Sequence, residues 1–185
     1  HLSESLPGRK VHRQAACPCE RRPPKGAVHS RPMVPPASPP PFAAPTGPAR
    51  TLGLAGLLPF LAGAGLLWWA APGWRPLAGT ALVAYGALIA SFLGGIHWGL
   101  VMRGSSLRTA HLAWGVLPSL VGWAALLLAP ATGLVLLAGL LACCYAVDRR
   151  LYPAAGAAAW LGLRLQLSAV AVLSCLAGAV ALRAA

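Results

Sequence analysis

The sequence predicts an all-α membrane protein, a polytopic bundle of five transmembrane helices that follows a disordered amino-terminal tail. Hydrophobic residues make up 57% of the chain and charged residues only 10%, whereas soluble proteins carry about 25% charged residues. Long apolar runs without charged residues fill the later part of the chain, and prolines crowd its beginning. We therefore divide the chain into a Pro/Arg-rich tail, residues 1–50, and a five-span domain, residues 51–183.

The tail has a composition unlike that of the rest of the chain. Residues 1–48 hold twelve prolines, and residues 1–50 carry eight basic and two acidic side chains. Proline fixes φ and removes a backbone donor, so this composition predicts a disordered or polyproline-like segment. The prolines also disfavour the amphipathic helix of an organelle transit peptide, and the first apolar run begins too late for a secretory signal.

Five apolar runs suit helices that cross a hydrocarbon core of ~30 Å, at ~1.5 Å per residue. Loops between them are too short for a folded domain outside the membrane, so any chemistry must lie in or beside the bundle. The predicted spans are Leu52–Ala71, Leu77–Met102, Ala110–Ala129, Leu134–Val147 and about Trp160–Leu182.

Prolines predict where this series bends and turns. Pro59 lies inside the first span and should kink it, with the freed carbonyl satisfied by a neighbouring helix. Pro130–Gly133 is predicted to form the hairpin between the third and fourth spans. Leu134–Val147 is the shortest span, and we expect it to extend into that turn.

The second span carries rows of small residues that predict close helix packing. Gly86 and Gly94 belong to one row with a spacing of four, and Gly95 and Gly99 belong to the adjacent row. Residues four apart lie on one helix face, where small side chains let another backbone approach. We expect these four glycines to pack against neighbouring helices, and His97 to face the same neighbours.

Arginines outside the tail predict the orientation of the bundle. Loops that follow the second and fourth spans, together with the start of the fifth, hold five arginines. The opposite loops and the carboxyl end hold only Arg75 and Arg183. The positive-inside rule therefore favours an N-in, C-out protein. We expect it in a bacterial inner membrane, with the mitochondrial inner membrane as the alternative.

Four residues form the candidate functional cluster: His97, Trp98, Asp148 and Arg164. Asp148 is the only carboxylate outside the tail, and a pair with Arg164 would lower the cost of placing an arginine in a span. Such a pair is interpreted as a structural anchor, with gating of a proton or anion route as the alternative.

His97 also allows two interpretations. With His111 it could form a bis-histidine haem or metal site, since neutral imidazole is a common ligand. The favoured alternative is a histidine that hydrogen-bonds within the bundle, because neither residue has an acidic or cysteine partner at a ligand spacing. Catalytic triads, paired carboxylates and phosphate-binding loops are absent from the sequence, so we predict no enzyme, no cofactor, no metal site and no catalytic residue.

Several stretches together resemble a known family. They are LGLAGLLPF at 52–60, SFLGGIHWG at 91–99 and LPSL at 117–120, followed by Asp148 and Arg164. The chain resembles the domain-of-unknown-function membrane family of transmembrane-protein-69-like proteins over about residues 51–182. This resemblance implies a multi-span inner-membrane protein whose biochemistry is not established.

Two functions remain open at this point. The first is a structural or assembly component that packs with other membrane proteins, which predicts a closed bundle with an exposed small-residue groove. The alternative is a small oligomeric transporter or channel, which predicts a polar cavity that reaches mid-membrane. The expected partners are the lipid bilayer and other membrane proteins or further copies of the chain. Nucleic acid is not expected, because the basic residues lie between apolar runs and form no basic helix.

Overall fold

A computed structural model describes residues 42–104 and 110–184 of the chain. Within these ranges the protein is helical and contains no strand, which confirms the predicted all-α bundle. The predicted tail lies largely outside the described residues, although its last residues already begin the first helix. The helices are α1 (Gly47–Ala55), α2 (Leu58–Trp69), α3 (Arg75–Met102), α4 (Ala110–Leu126), α5 (Pro130–Leu151) and α6 (Leu161–Arg183).

These helices form five antiparallel segments, because α1 and α2 follow one another in a single segment. Four segments are long and apolar enough to cross a membrane, by length and composition. The fifth, α4, is an apolar helix of 17 residues, about 25 Å long. The four longer segments are Gly47–Trp69, Pro72–Met102, Pro130–Leu151 and Ala158–Arg183.

Two expectations about α5 are wrong. Pro130–Gly133 is the first turn of this helix rather than a hairpin, since proline at the start of a helix loses no internal hydrogen bond. The expected extension of the span into these residues is confirmed. The chain turns instead between Leu126 and Pro130. Nor is this segment the shortest, because α5 has 22 residues and continues through Asp148 to Leu151. The charged residues that follow Val147 in the sequence belong to the last turn of this helix.

The first segment breaks at Pro59, as predicted. α1 ends at Ala55 and α2 begins at Leu58, so the interruption falls where proline cannot donate a backbone hydrogen bond. The Tyr85 hydroxyl of α3 donates to the Gly56 carbonyl oxygen at 2.7 Å. A neighbouring helix therefore satisfies a carbonyl at the break. The aromatic rings of Phe60 and Tyr85 also pack against each other edge to face.

The closest helix contact joins α3 and α4. A Cβ on Gly94 would overlap the carbonyl oxygen of Gly115, so the two backbones meet where both residues are glycine. The hydroxyls of Ser91 and Ser119 lie 2.8 Å apart and link the same helices nearer the middle. Small residues thus set the α3–α4 distance, and a hydrogen bond adds to the contact.

One end of the bundle carries most of the described arginines, and we call it the basic end. There α3 and α5 end, and α1, α4 and α6 begin. At this end the Phe42 backbone N–H donates to the Gly156 carbonyl at 2.9 Å, and the Trp160 indole donates to the Ala43 carbonyl at 2.9 Å. The arginines at the basic end are Arg50, Arg103, Arg149, Arg150 and Arg164, and those at the other end are Arg75 and Arg183.

Candidate functional site

Three buried polar side chains meet near the basic end, and we call His97, Asp148 and Arg164 the buried charge cluster. The exposed fraction is 2% for His97 and for Asp148 and 8% for Arg164. Arg164 Nε donates to Asp148 Oδ2 at 2.9 Å, and Arg164 Nη2 donates to the same oxygen. His97 Nε2 lies 3.1 Å from Asp148 Oδ1. Both carboxylate oxygens are therefore engaged, one by each partner.

The helices explain why these residues meet. Asp148 lies in the last turn of α5, and Arg164 lies in the first turn of α6, which returns antiparallel to α5. His97 is about one and a half turns from the end of α3, on the side that α5 covers. All three therefore occupy a similar depth, where charges need partners because water is scarce.

The imidazole of His97 has one ring nitrogen in use. Its Nε2 position against Asp148 fits the tautomer with hydrogen on Nε2, which donates to the carboxylate. His97 Nδ1 is buried and has no hydrogen-bond partner among the described residues. Among the described residues there is no group of three or more His, Cys, Asp or Glu side chains that could hold a metal ion.

Tyr152 follows α5 and adjoins the cluster. Burial, followed by the negative charge of Asp148, raises the pKa of its phenol from 10.0 to about 12. Arg164 acts in the opposite direction through its charge and through a side-chain hydrogen bond with Tyr152. The phenol therefore stays protonated at physiological pH and extends the polar contacts of Arg164 beyond Asp148.

A pocket of about 520 Å³ adjoins the cluster, between α1, α3 and α6. Its wall is almost entirely apolar, and the helix break at Gly56 forms part of it. Arg164 and Ser168, one helical turn apart on α6, supply polar side chains. Ser168 is 6% exposed, and its hydroxyl has no hydrogen-bond partner among the described residues. The apolar lining includes Leu52, Leu57, Phe60, Phe92, Ile96 and Leu167.

The structure brings three of the four predicted cluster residues together but places Trp98 elsewhere. The Trp98 side chain is exposed, and its indole N–H donates to the Leu112 carbonyl of α4 at 3.1 Å. Trp98 follows His97 directly, so on a helix it points about 100° away. Its contact ties α3 to α4 and does not reach Asp148.

The four predicted packing glycines divide into two pairs. A Cβ on Gly86 would lie 3.0 Å from Leu137 of α5, and Gly94 meets Gly115 of α4. Gly95 and Gly99 are exposed, with nothing within 4 Å of an added Cβ among the described residues. This second pair therefore contacts no other described helix, because the row turns away from α4 and α5, and its packing against a further helix stays a prediction.

The pocket and the hydroxyl of Ser168 are the features that sequence reasoning missed. The sequence places Arg164, Ser168 and Ala171 on one face of α6, a pattern that helix packing explains without a ligand. Ala171 is indeed buried in the core. The one available signal was a serine four residues after a buried arginine, and this pattern alone does not indicate an adjoining space.

Comparison with known proteins agrees with this architecture. Residues 45–180 match the family described as "Protein of unknown function (DUF3429)". The chain belongs to this family. The match includes all six helices except the last residues of α6, and also all members of the buried charge cluster.

Two relatives carry the name Transmembrane protein 69. The chain is 43% identical to the Xenopus tropicalis protein over 83 residues, which are 43% of this chain and 32% of that protein. It is 41% identical to the Mus musculus protein over 83 residues, 43% of this chain and 34% of that protein. The matched region thus spans about a third of the length of these relatives. No solved structure matches the chain at a significant level.

Proposed function

We propose that this membrane protein is a structural or assembly component that packs against other membrane proteins through the exposed face of α3. The observation that carries the proposal is the open pair Gly95 and Gly99, which are spaced by four and exposed. In lipid, helices associate where small residues let backbones approach, and a GxxxG spacing is a frequent contact of this kind. Gly94, one residue away, already uses this mode of contact within the chain.

The rest of the bundle supports a packing role. His97 and Arg164 both contact the carboxylate of Asp148, so polar contacts link α3 and α6 to α5. The pocket between α1, α3 and α6 is lined by apolar side chains rather than by the polar groups expected of an aqueous path. A helix bundle with an open small-residue face on α3 suits a protein that docks other helices.

A double variant, Gly95→Leu with Gly99→Leu, tests this proposal. Leucine would block the approach of a partner backbone, yet it would meet open space within the chain and favour helix more than glycine does. We expect the variant to remain folded in mild detergent and to lose the proteins that co-purify with the wild type. Retention of those partners would contradict the proposal.

Gly139→Leu is the matched control. Gly139 is also exposed and also has nothing within 4 Å of an added Cβ, but it lies on α5. This variant also replaces an exposed helical glycine with leucine. We expect the proteins that co-purify with the wild type to co-purify with this variant as well. If Gly139→Leu releases them equally, the face on α3 is not the specific contact.

A second candidate is a small oligomeric transporter or channel. The observation in its favour is the buried charge cluster, because titratable groups within a span often mark ion paths. This candidate predicts that the wild-type protein in liposomes moves protons or anions and that Asp148→Asn reduces the flux. A flux equal to that of protein-free liposomes would contradict the transporter or channel candidate.

For location, we propose a bacterial inner membrane, with the mitochondrial inner membrane as the alternative, and an N-in, C-out orientation. The surplus of arginines at the basic end supports this orientation. The proposal includes no catalytic step, no cofactor and no nucleic acid. A Soret band or a stoichiometric metal in the purified protein would contradict that part.

A further inference from the structure

The pocket between α1, α3 and α6 has the size of a ligand site. Its volume of about 520 Å³ falls within the ~300–1,000 Å³ range of small-molecule pockets. Gly53 of α1 and Gly56 of the helix break line one side, and Ile96 of α3 and Leu167 of α6 line others. Three helices therefore enclose a space that their own side chains leave unfilled.

The pocket opens towards the apolar surface of the bundle. Leu52 and Phe92 belong to its wall and are 74% and 67% exposed, so they stand at its mouth. They lie on α1 and α3, two segments that are apolar enough to cross a membrane. No residue of α1 is buried, which leaves this side of the pocket under a lightly packed helix. Molecules dissolved in the bilayer can therefore reach the pocket from the side.

One polar atom in the wall has no partner. The hydroxyl of Ser168 is buried and makes no hydrogen bond among the described residues. Leaving such a group unsatisfied costs about 1–3 kcal/mol, so buried hydroxyls are normally paired. A hydroxyl can donate or accept, and an oxygen at the end of an apolar molecule would satisfy it.

The charge of the wall limits the chemistry of the ligand. Arg164 is the basic side chain in the wall, and Asp148 takes up its Nε and Nη2 donors. The pair is neutral, so an anionic head group buried beside Arg164 would not be balanced by it and would pay for its own desolvation. An uncharged polar group carries no such penalty.

From these observations we infer that the pocket binds an uncharged membrane lipid, with its tail against the apolar wall and its hydroxyl or carbonyl oxygen hydrogen-bonded to Ser168. This binding site is independent of the proposed contact at Gly95 and Gly99, which lies outside the pocket wall. The bound lipid would complete the hydrogen bonding of Ser168 and fill the space beside the helix break at Gly56.

Photolabelling of the full chain in lipid nanodiscs tests the inference. Three diazirine probes of equal chain length are compared: a long-chain alcohol, the matching fatty acid and the matching alkane. We expect the alcohol to label peptides of α1 and α6 that line the pocket, several-fold more strongly than it labels the exposed side of α4. Ser168→Ala should reduce alcohol labelling about threefold to tenfold, the loss of one neutral hydrogen bond, and leave alkane labelling unchanged.

Two variants of α1 provide matched controls for the pocket itself. Ala49 lines the pocket, so Ala49→Trp should fill it and reduce labelling by both the alcohol and the alkane. Ala55 is exposed on the same helix and is not part of the wall, so Ala55→Trp should leave labelling at the wild-type level. Thermal unfolding in detergent shows that each variant is folded, and Ser168→Ala removes no protein hydrogen bond.

Four outcomes would overturn the inference. The first is that the pocket is labelled no more strongly than α4, and the second is that Ser168→Ala leaves alcohol labelling unchanged. The third is that the fatty acid labels the pocket more strongly than the alcohol does. The fourth is that Ala49→Trp and Ala55→Trp reduce labelling equally. A photocrosslinking residue in place of Phe92 that captures residues 1–41 instead of the alcohol would also overturn it, because the chain itself would then occupy the pocket.

Discussion

Asp148 determines the polar interactions at the basic end, because each of its carboxylate oxygens serves a different helix. Oδ2 binds Arg164 of α6, and Oδ1 binds His97 of α3. A buried ion pair contributes little net stability compared with apolar residues of similar volume, but the loss of one partner leaves an uncompensated charge. The cluster therefore specifies which helices meet, and its energetic importance appears when it is broken.

Asp148→Asn should destabilise the bundle by about 3–5 kcal/mol, because Arg164 then stays buried without a counter-charge. Thermal unfolding in detergent measures the loss. Arg164→Gln should be similarly harmful on its own, and the double variant should lose about 0.5–3 kcal/mol less than the sum of the two. Strictly additive losses would mean that the two side chains do not interact.

Tyr152 should titrate near pH 12 rather than near pH 10.0, because burial and Asp148 disfavour its phenolate. Since the pKa is raised in the folded state, the associated stability is complete below about pH 10 and is lost as the pH approaches 12. Phenolate absorbance, compared between the wild type and Tyr152→Phe, isolates this group from the other tyrosines. A difference spectrum with a midpoint near 10 would contradict the buried position.

At the scale of the helices, the two faces of α3 differ sharply in what they tolerate. Gly94→Ala should destabilise the protein by roughly 1–3 kcal/mol, since the new methyl group meets the Gly115 backbone, which cannot rotate away. Gly95→Ala, the adjacent control, meets open space and should be neutral or stabilising by up to about 1 kcal/mol. Unfolding curves of both variants in the same detergent provide the comparison.

Equal effects at Gly94 and Gly95 would contradict the α3–α4 contact. The comparison is informative because both changes remove one glycine from the same helix turn, so they alter helix propensity equally. Only the surroundings of the two positions differ. A fold in which α4 lay against Gly95 instead would reverse the result.

The sequence predicted the five segments and the Pro59 break because apolar length and proline chemistry act locally. It misplaced the start of α5, since Pro130 can begin a helix as readily as it can interrupt one. It also ended α5 too early at Val147, because a charged residue normally marks the membrane edge and Asp148 is buried here by its partners.

The site was only partly predictable for a related reason. Asp148 and Arg164 were expected to pair, because the hairpin between α5 and α6 puts them at one depth. The contact of His97 with Asp148 depends on how α3 is rotated, and a helix that is apolar on all sides does not encode its rotation clearly. The pocket depends on the direction of α1 before the break, which no local pattern specifies.

For the whole molecule, the proposed N-in, C-out orientation requires that all five segments cross, which would put Gly47 and Arg183 on opposite sides of the membrane. A reporter inserted near Thr46 and another fused at the carboxyl end should therefore report different compartments, with the first on the cytoplasmic or matrix side. Protease accessibility in sealed vesicles measures this. Detection of both reporters on one side would mean that one segment does not cross the membrane. The candidate would be α4, because it has only 17 residues.

The Arg164–Asp148 pair also bears on how the chain enters the bilayer during synthesis. An unpaired aspartate or arginine opposes insertion by ~2.5–3.5 kcal/mol at mid-membrane and by less near the edge. With the two ions sixteen residues apart on consecutive helices, α5 and α6 can leave the translocon together with the charges of Asp148 and Arg164 paired. In a glycosylation assay α5 should insert more efficiently when α6 follows it, and Arg164→Gln should remove that advantage.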